Sequence, residues 1–514
     1  MRVAFIYSLD EFVSIEKPLR SPTSIPFGIS CLASVLKREG HAVDVLVLTS
    51  DTPLEEAARK FIEEFKPDMW ALSAVASQFN FITRVSKLLK QITPDKYQVL
   101  GGHHASLNTE DCLKEPYFDA ICKGEGDNAL KDLVGQLDAG KSPSGIDNMY
   151  IRQSNGNYEI SPQSPFEQEI DYFPFPERDM WEKWTMIPDL CPSVLISRGC
   201  PYKCTYCANH AMARLSPGRY VRYRSPDKIV EEIRQILAKT PTVTDIYLEA
   251  ETFGADLKMT FKICEALEAF NATRKRPISF SANFTLIKLV SANKELLERL
   301  QRANFTGMNV GLESGSERLR NGDLKRPPYK NEDLIEFCHR AKEHGIGVTL
   351  FALMGVPGET LADFQETIKV VRAAEPVHVY LSIFYPYPGT DLWKIAVDLD
   401  LIPENHDQGY ERTKPNLDLP GFSSDQILHE YKWFYYKAFV GKWPLHRVLL
   451  RTMRQYLLTM PALNKIYAYL SDSRLLFSFK QSLGKEQIET VDLDTERVWS
   501  SKKSERRELA EKNQ

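Results

Sequence analysis

The chain has 514 residues, a formal net charge of -4, and 43% hydrophobic and 26% charged side chains, which suits about three soluble domains. So even a charge balance leaves no electrostatic footprint for nucleic acid, and no apolar run reaches the roughly 18 residues of a spanning helix. Nine cysteines in so long a chain do not make a disulfide framework. The start, MRVAFIYSLDEF, lacks the basic region and long apolar stretch of a secretory leader, so a cytoplasmic protein is expected.

Short apolar runs at 2–7, 42–48, 68–74, 97–100 and 118–122 alternate with helical patterns such as ISCLASVLKREG, PLEEAARKFIEEF and FNFITRVSKLLKQI. This alternation predicts an α/β domain over 1–140, a Rossmann-like, doubly wound parallel sheet. Such sheets bind ligands beyond the carboxyl ends of their strands. Ser73 and Ser77 follow the third run, Gly101-Gly102-His103-His104 the fourth and Gly124-Glu125-Gly126 the fifth. A glycine pair there lets the backbone approach a flat ligand closely. Residues 141–192 break the alternation with KSPSG, QSNGN and a Pro-rich stretch. They read as a linker with one small hairpin (MYIRQ, NYEIS).

A second alternating series follows. Its strands are expected at 193–198, 244–249, 278–283, 308–312, 347–354 and 378–384, and its helices at 227–238, 257–272, 292–303, 331–344 and 360–373. Ser225-Pro226-Asp227 and Asn331 look like helix starts. Six strand–helix steps fall short of a closed eight-fold barrel. They predict a partial (β/α)6 barrel over 193–395, with its active site at the carboxyl ends of the strands. Residues 396–483 read as a helical region. Within it, PLHRVLLRTMRQYLLTMPALNKIYAYL mixes basic, aromatic and aliphatic residues at helical spacing. A basic amphipathic helix can lie on a membrane surface, which keeps peripheral membrane contact open. The reading taken is a helical cap on the barrel mouth. The polar stretch 484–514 is expected to be a disordered tail.

Three of the nine cysteines fall within eight residues, in SRGCPYKCTYCANH directly after the first strand of the second series. Cys200, Cys204 and Cys207 stand in C-x3-C-x2-C spacing. Three thiolates on one loop can hold an iron–sulfur cluster while leaving one iron without a protein ligand. That iron can take the amino and carboxylate groups of S-adenosylmethionine, with Tyr206 placed to pack near the adenine. The alternative is a structural zinc site, which would need a fourth ligand from His210 or Cys191.

The C-x3-C-x-(aromatic)-C loop on a partial barrel resembles the signature of the radical S-adenosylmethionine superfamily. PFGISCLASVLKREGHAVDVL, LGGHHAS, CKGEGDNAL, LISRGCPYKCTYCAN, IYLEAETFGAD, VGLESGSERLR, FALMGVPGET and FYPYPGTDLW resemble, in order, the subgroup whose N-terminal domain binds cobalamin. The resemblance covers residues 1 to about 395. It implies a [4Fe–4S] cluster on the three cysteines, S-adenosylmethionine cleaved to a 5′-deoxyadenosyl radical, and cobalamin beyond the N-terminal sheet. Glu249 and Glu251 stand where the family carries a Gly-Gly-Glu-like stretch for the methionyl ammonium. The glycines are absent, so only the acidic character carries over. Asn283, Glu313 and Ser314 map to the ribose hydroxyls, Gly355 and Pro357 to the adenine loop, and Tyr385 to the closure of the site. Asn283 reads equally as a turn residue and Tyr385 as core. Ser73, Gly101, Gly102, His103, Gly124 and Glu125 map to cobalamin contacts. The cobalt-ligand motif D-x-H-x-x-G is absent: Asp10 is followed by Glu11-Phe12, and His41 reads as a loop residue, so cobalt would lack a histidine from this domain.

The function implied is methylation of an unactivated carbon of a small-molecule or lipid substrate, with an electron donor such as flavodoxin or ferredoxin. Cyclisation, oxidation or rearrangement with the same cofactors is the alternative. A non-catalytic binding protein with a vestigial cluster is the remote one. No residue names the substrate.

Overall fold

The computed structural model describes residues 1–9, 14–403 and 412–460. The Asp10-Glu11-Phe12 stretch, the part of the helical reading past 460 and the tail from 484 lie outside the described residues. The chain divides into two compact units, one of Met1–Pro201, Tyr206–Glu249 and Tyr387–Lys394, the other of Tyr202–Thr205, Ala250–Pro386 and the chain from Ile395.

In the first unit β1 (Arg2–Leu9), β2 (Ala42–Thr49), β3 (Met69–Ser73), β4 (Tyr97–Gly101) and β5 (Ala120–Cys122) form a parallel sheet in the order β2-β1-β3-β4-β5. Alternate residues of each strand point to opposite faces. Val3, Phe5, Val45, Val47, Met69 and Ala71 pack into one core, and Ala4, Ile6, Leu46, Leu48, Trp70 and Leu72 into another. Because both faces are covered, the strands read as continuous apolar runs, as a doubly wound sheet requires. The hairpin at β6 (Met149–Arg152) and β7 (Tyr158–Ile160) does not stand in a linker. It adds two antiparallel strands to this sheet through β5, because Met149 and Ile151 alternate inward and are buried. The Pro-rich stretch behind it also packs inward: Trp181 is fully buried and its Nε1 donates to Ser30 Oγ at 2.9 Å.

The second series begins in the same unit. β8 (Ser193–Leu195) pairs in parallel with β11 (Asp245–Glu249). The expected strand at 193–198 breaks after Leu195, and β9 (Ser197–Arg198) forms a separate antiparallel ribbon with β10 (Arg222–Tyr223). The helix Pro226–Lys239 starts as expected, with Ser225 accepting from the Lys228 N–H at 3.4 Å.

In the second unit β12 (Ser279–Phe284), β13 (Phe305–Glu313), β14 (Gly347–Met354) and β15 (His378–Ile383) pair in parallel in that order. Counting β8 and β11 of the first unit, strands stand at all six positions expected from the sequence. The helix expected over 292–303 is two pieces, Lys288–Ala292 and Lys294–Arg302, because Asn293 interrupts the first and caps the second, accepting from Leu296 N at 2.9 Å. The helix Ser424–Phe439 starts at the carboxyl end of β14 and is followed by Leu445–Leu458. Ile427 lies beside Gly355, past the carboxyl end of β14. Further along, the Tyr435 hydroxyl donates to the Val379 carbonyl and Arg372 Nη1 to the Val440 carbonyl at 2.8 Å. The first helix therefore runs down the flank of β15, the end strand of its sheet.

Candidate functional site

The cysteine loop is shaped by the residue before it. Gly199 has φ +81°, and a Cβ there would run into the Tyr220 carbonyl, so only glycine lets the chain turn beside β10. Cys204 is buried, and Cys200 and Cys207 are partly exposed. Thr205 anchors the middle of the loop, its N–H donating to Leu324 at 3.2 Å and its hydroxyl to Asp323 at 2.6 Å. Arg326 lies 4.0 Å from Cys204 Sγ, 3.7 Å from Glu313 and donates to the Gly311 carbonyl at 2.6 Å. Asn209 Nδ2 approaches Cys207 Sγ at 3.7 Å while its Oδ1 accepts from Tyr220 at 2.8 Å.

The remaining six cysteines are buried. Burial pushes the thiols of Cys112, Cys122, Cys264 and Cys338 up to about 12, which keeps them protonated and inert. His210, the candidate fourth zinc ligand, instead meets Asp391 at 3.3 Å and Arg214 at 2.9 Å. Among the described residues no three His, Cys, Asp or Glu side chains are arranged to hold one metal ion.

At the carboxyl ends of the N-terminal sheet the second glycine of the pair is required by the protein's own packing. Gly102 has φ +95°, and a Cβ there would stand 2.7 Å from the Ala74 carbonyl and 2.8 Å from Ser73 Oγ. The glycine is needed for its own neighbouring strand, whatever lies outside. Filling it with a bulky side chain would disturb the fold before it blocked a ligand. His103 is exposed. His104 is 6% exposed and stacks on Phe79 at 4.0 Å. Neither of its ring nitrogens has a hydrogen-bond partner among the described residues, and burial lowers its pKa to about 4. A neutral histidine with two idle polar atoms at this loop fits a polar ligand that reaches it there.

Gly124 has φ +90° and donates to Ser106 Oγ at 3.0 Å. Glu125 is committed to an arginine: its two oxygens accept from Arg222 at 2.6 and 2.9 Å. Asp127 takes Arg198 in the same forked way at 2.8 and 2.9 Å. The Pro388 carbonyl accepts from Asn108 Nδ2 at 3.1 Å, and Gly389 sits against Leu107. Within one unit, then, the β9–β10 ribbon that leads into Cys200 and the 387–394 turn both meet the loops of the N-terminal sheet. Sequence reasoning missed Arg198, Arg222 and Arg326. The one local signal was the alternation in RYVRYR.

The other strand-end candidates are where the second series predicted. Glu249 closes β11 and Glu251 is exposed just beyond it. Asn283 Nδ2 donates to the Ala250 carbonyl at 3.3 Å and its Oδ1 accepts from Asn309 at 3.1 Å, so it ties strand ends together. Glu313 is 8% exposed with φ +60°, a conformation a non-glycine residue adopts only when its surroundings enforce it. Ser314 is buried beside it. In the Gly355–Glu359 turn, one Glu359 oxygen accepts from Gly355 N at 2.5 Å and Val356 N at 3.2 Å. Burial pushes this carboxyl up to about 8. Pro357 and Tyr385 are buried, and Tyr206 and Ser73 are half-buried.

Comparison with known proteins matches residues 194–371 to the radical SAM superfamily and residues 21–134 to the B12 binding domain, more than half of the chain between them. An uncharacterized methyltransferase of Pyrococcus horikoshii is 27% identical over 439 residues, 84% of this chain and 91% of its own. The anaerobic magnesium-protoporphyrin IX monomethyl ester cyclase of Rubrivivax gelatinosus is 26% identical over 81% of this chain and 74% of its own. The fold is similar to that of the radical S-adenosylmethionine methyltransferase TsrM from Kitasatospora setae, with a TM-score of 0.64, 17% identity and coverage of 87% of this chain and 90% of that one. With both domains matched in sequence order, the chain belongs to the radical S-adenosylmethionine superfamily, in the subgroup with an N-terminal cobalamin-binding domain.

Proposed function

We propose that this enzyme methylates an unactivated carbon of a small-molecule or lipid substrate. The observation that carries the reading is the meeting, within one unit, of the cobalamin-type loops with the β9–β10 ribbon that leads into Cys200, through Glu125–Arg222 and Asp127–Arg198. A radical centre and a methyl donor must be held close for such a transfer, because the substrate radical has to be captured before it is quenched. When bound, the cluster supplies the electron that cleaves S-adenosylmethionine, and cobalamin supplies the methyl group.

The chain's own residues take the other roles. Cys200, Cys204 and Cys207 would hold the cluster, an assignment that rests on their loop and on the family match. Glu249 or Glu251 would pair the methionyl ammonium, with Asn283, Glu313 and Ser314 toward the ribose and the Gly355–Pro357 turn and Tyr206 toward the adenine. Tyr385, which is buried, would close the site. Ser73, Gly101, His103 and Gly124 would line the corrin, with the neutral His104 offering a polar contact. Glu125 would hold Arg222 and leave ligand binding to its neighbours. A reducing, cytoplasmic setting with a flavodoxin- or ferredoxin-type donor suits an exposed cluster loop. Among the described residues no helix is long and apolar enough to cross a membrane.

The similarity to a cyclase favours one second reading, ring closure with the same cofactors and no methyl transfer. The two separate on S-adenosylmethionine labelled in its methyl group. Methylation puts the label in the product and yields equal amounts of S-adenosylhomocysteine and 5′-deoxyadenosine. Product formed with 5′-deoxyadenosine but with neither label nor S-adenosylhomocysteine would establish cyclisation instead.

A further inference from the structure

The middle of the cysteine loop is stitched to the loop that carries Arg326, and both lie in the same unit. Thr205, next to Cys204, donates its N–H to the Leu324 carbonyl and its hydroxyl to the Asp323 carbonyl. The Arg326 N–H in turn donates to the carbonyl of the fully buried Arg320 at 2.9 Å. From this fixed base the Arg326 side chain, 7% exposed, reaches inward. Its Nη2 donates to the Gly311 carbonyl at 2.6 Å. Its Nη1 stands 3.7 Å from Glu313 Oε1 and 4.0 Å from Cys204 Sγ. Room for the group comes from β13. A Cβ on Gly311 would stand 2.7 Å from Arg326 Nη2 and would also run into Glu313 Oε1, so only glycine lets the strand carry this pair.

A guanidinium keeps its charge at every working pH, and water and salt screen a buried charge weakly. An iron–sulfur cluster becomes more negative on reduction, and its potential follows the charges and hydrogen bonds around its sulfurs. A cation beside one of the ligating sulfurs therefore favours the reduced state, and Glu313 offsets part of that effect. We propose that Arg326 sets the reduction potential of the cluster, raising it through Cys204 into reach of a one-electron donor. The proposal rests on the assignment of the cluster to Cys200, Cys204 and Cys207. Arg326 is a positioning residue in this role, since it acts through Cys204.

A redox titration tests this on the full-length chain, reconstituted without oxygen and held free of S-adenosylmethionine, with the reduced cluster followed by electron paramagnetic resonance. Arg326→Gln should keep the iron and sulfide of the parent and make the cluster roughly tenfold harder to reduce, a fall of about 59 mV for a one-electron couple. Arg326→Lys restores the charge and should recover most of that fall. The sign separates this role from a structural one. A loosened site admits water, which stabilises the more highly charged reduced form and raises the potential. Loss of the cation lowers it. Should Arg326→Gln take up no iron, Glu313→Gln carries the test, because removing the counter-charge should make the cluster roughly threefold easier to reduce. An unchanged or raised potential in Arg326→Gln, a Lys variant no better than the Gln one, or an unchanged or lowered potential in Glu313→Gln would overturn the proposal. A parent chain that takes up no cluster would overturn the cysteine assignment first, and this proposal with it.

Discussion

Replacing Cys200, Cys204 and Cys207 together by Ala should take the reconstituted enzyme from about four irons per chain to essentially none, and with them all formation of 5′-deoxyadenosine. The remaining six thiols offer no substitute. They are buried and scattered through the chain, and burial holds at least four of them protonated near neutral pH. The fold should survive. The loop is fixed by the turn at Gly199 and by the bonds of Thr205 to Leu324 and Asp323, none of which involves a thiol. Iron and sulfide analysis beside a thermal melt therefore separates loss of the cluster from loss of structure. A triple variant that kept a full complement of iron would place the cluster elsewhere.

Arg222→Ala should be strongly destabilising. The Arg222 side chain is completely buried. It forks onto Glu125, donates to the Glu167 carbonyl at 3.0 Å and lies over the Phe166 ring at 5.0 Å. Truncation leaves the Glu125 carboxylate with only the distant Arg198, at 3.9 Å. Losing one partner of a buried pair costs about 3 kcal/mol or more, and this is an upper figure here because the Glu125 side chain is 24% exposed. In a unit of this size that lowers the melting temperature by roughly 6–12 °C. Arg222→Met together with Glu125→Leu should recover most of the loss, because it removes both charges at once. If the single variant melted with the parent, the pair would contribute nothing to holding the ribbon.

What the sequence made legible was local. The five parallel strands of the N-terminal sheet were readable because strands buried on both faces are apolar at every position, Val3 to Ile6 and Val45 to Leu48 among them. The cysteine loop was readable because its three thiols lie within eight residues. Pairing at a distance was not. Arg222 meets Glu125 across 97 residues and Arg198 meets Asp127 across 71, and no local pattern ties such partners. That is why the strand-end position of Glu125 is visible in the sequence and its arginine partner is not. The hairpin at 149–160 was misplaced for the same reason: its alternation showed strands, but only the exposed edge of β5 shows where they dock. The glycine at 102 stands out in the sequence, but its closeness to Ala74 and Ser73 does not. The strained Glu313 has no signature in the sequence, because its φ of +60° falls at a register shift in the pairing of β13 with β14.

The central claim is that one chain holds a cluster on its three cysteines and cobalamin in its N-terminal domain. It is tested most directly by metal and corrin analysis of the full-length protein, purified and reconstituted without oxygen. The account predicts about four irons with matching sulfide and a comparable molar amount of bound corrin. Zinc in place of iron, with no corrin taken up at any concentration supplied, would contradict it.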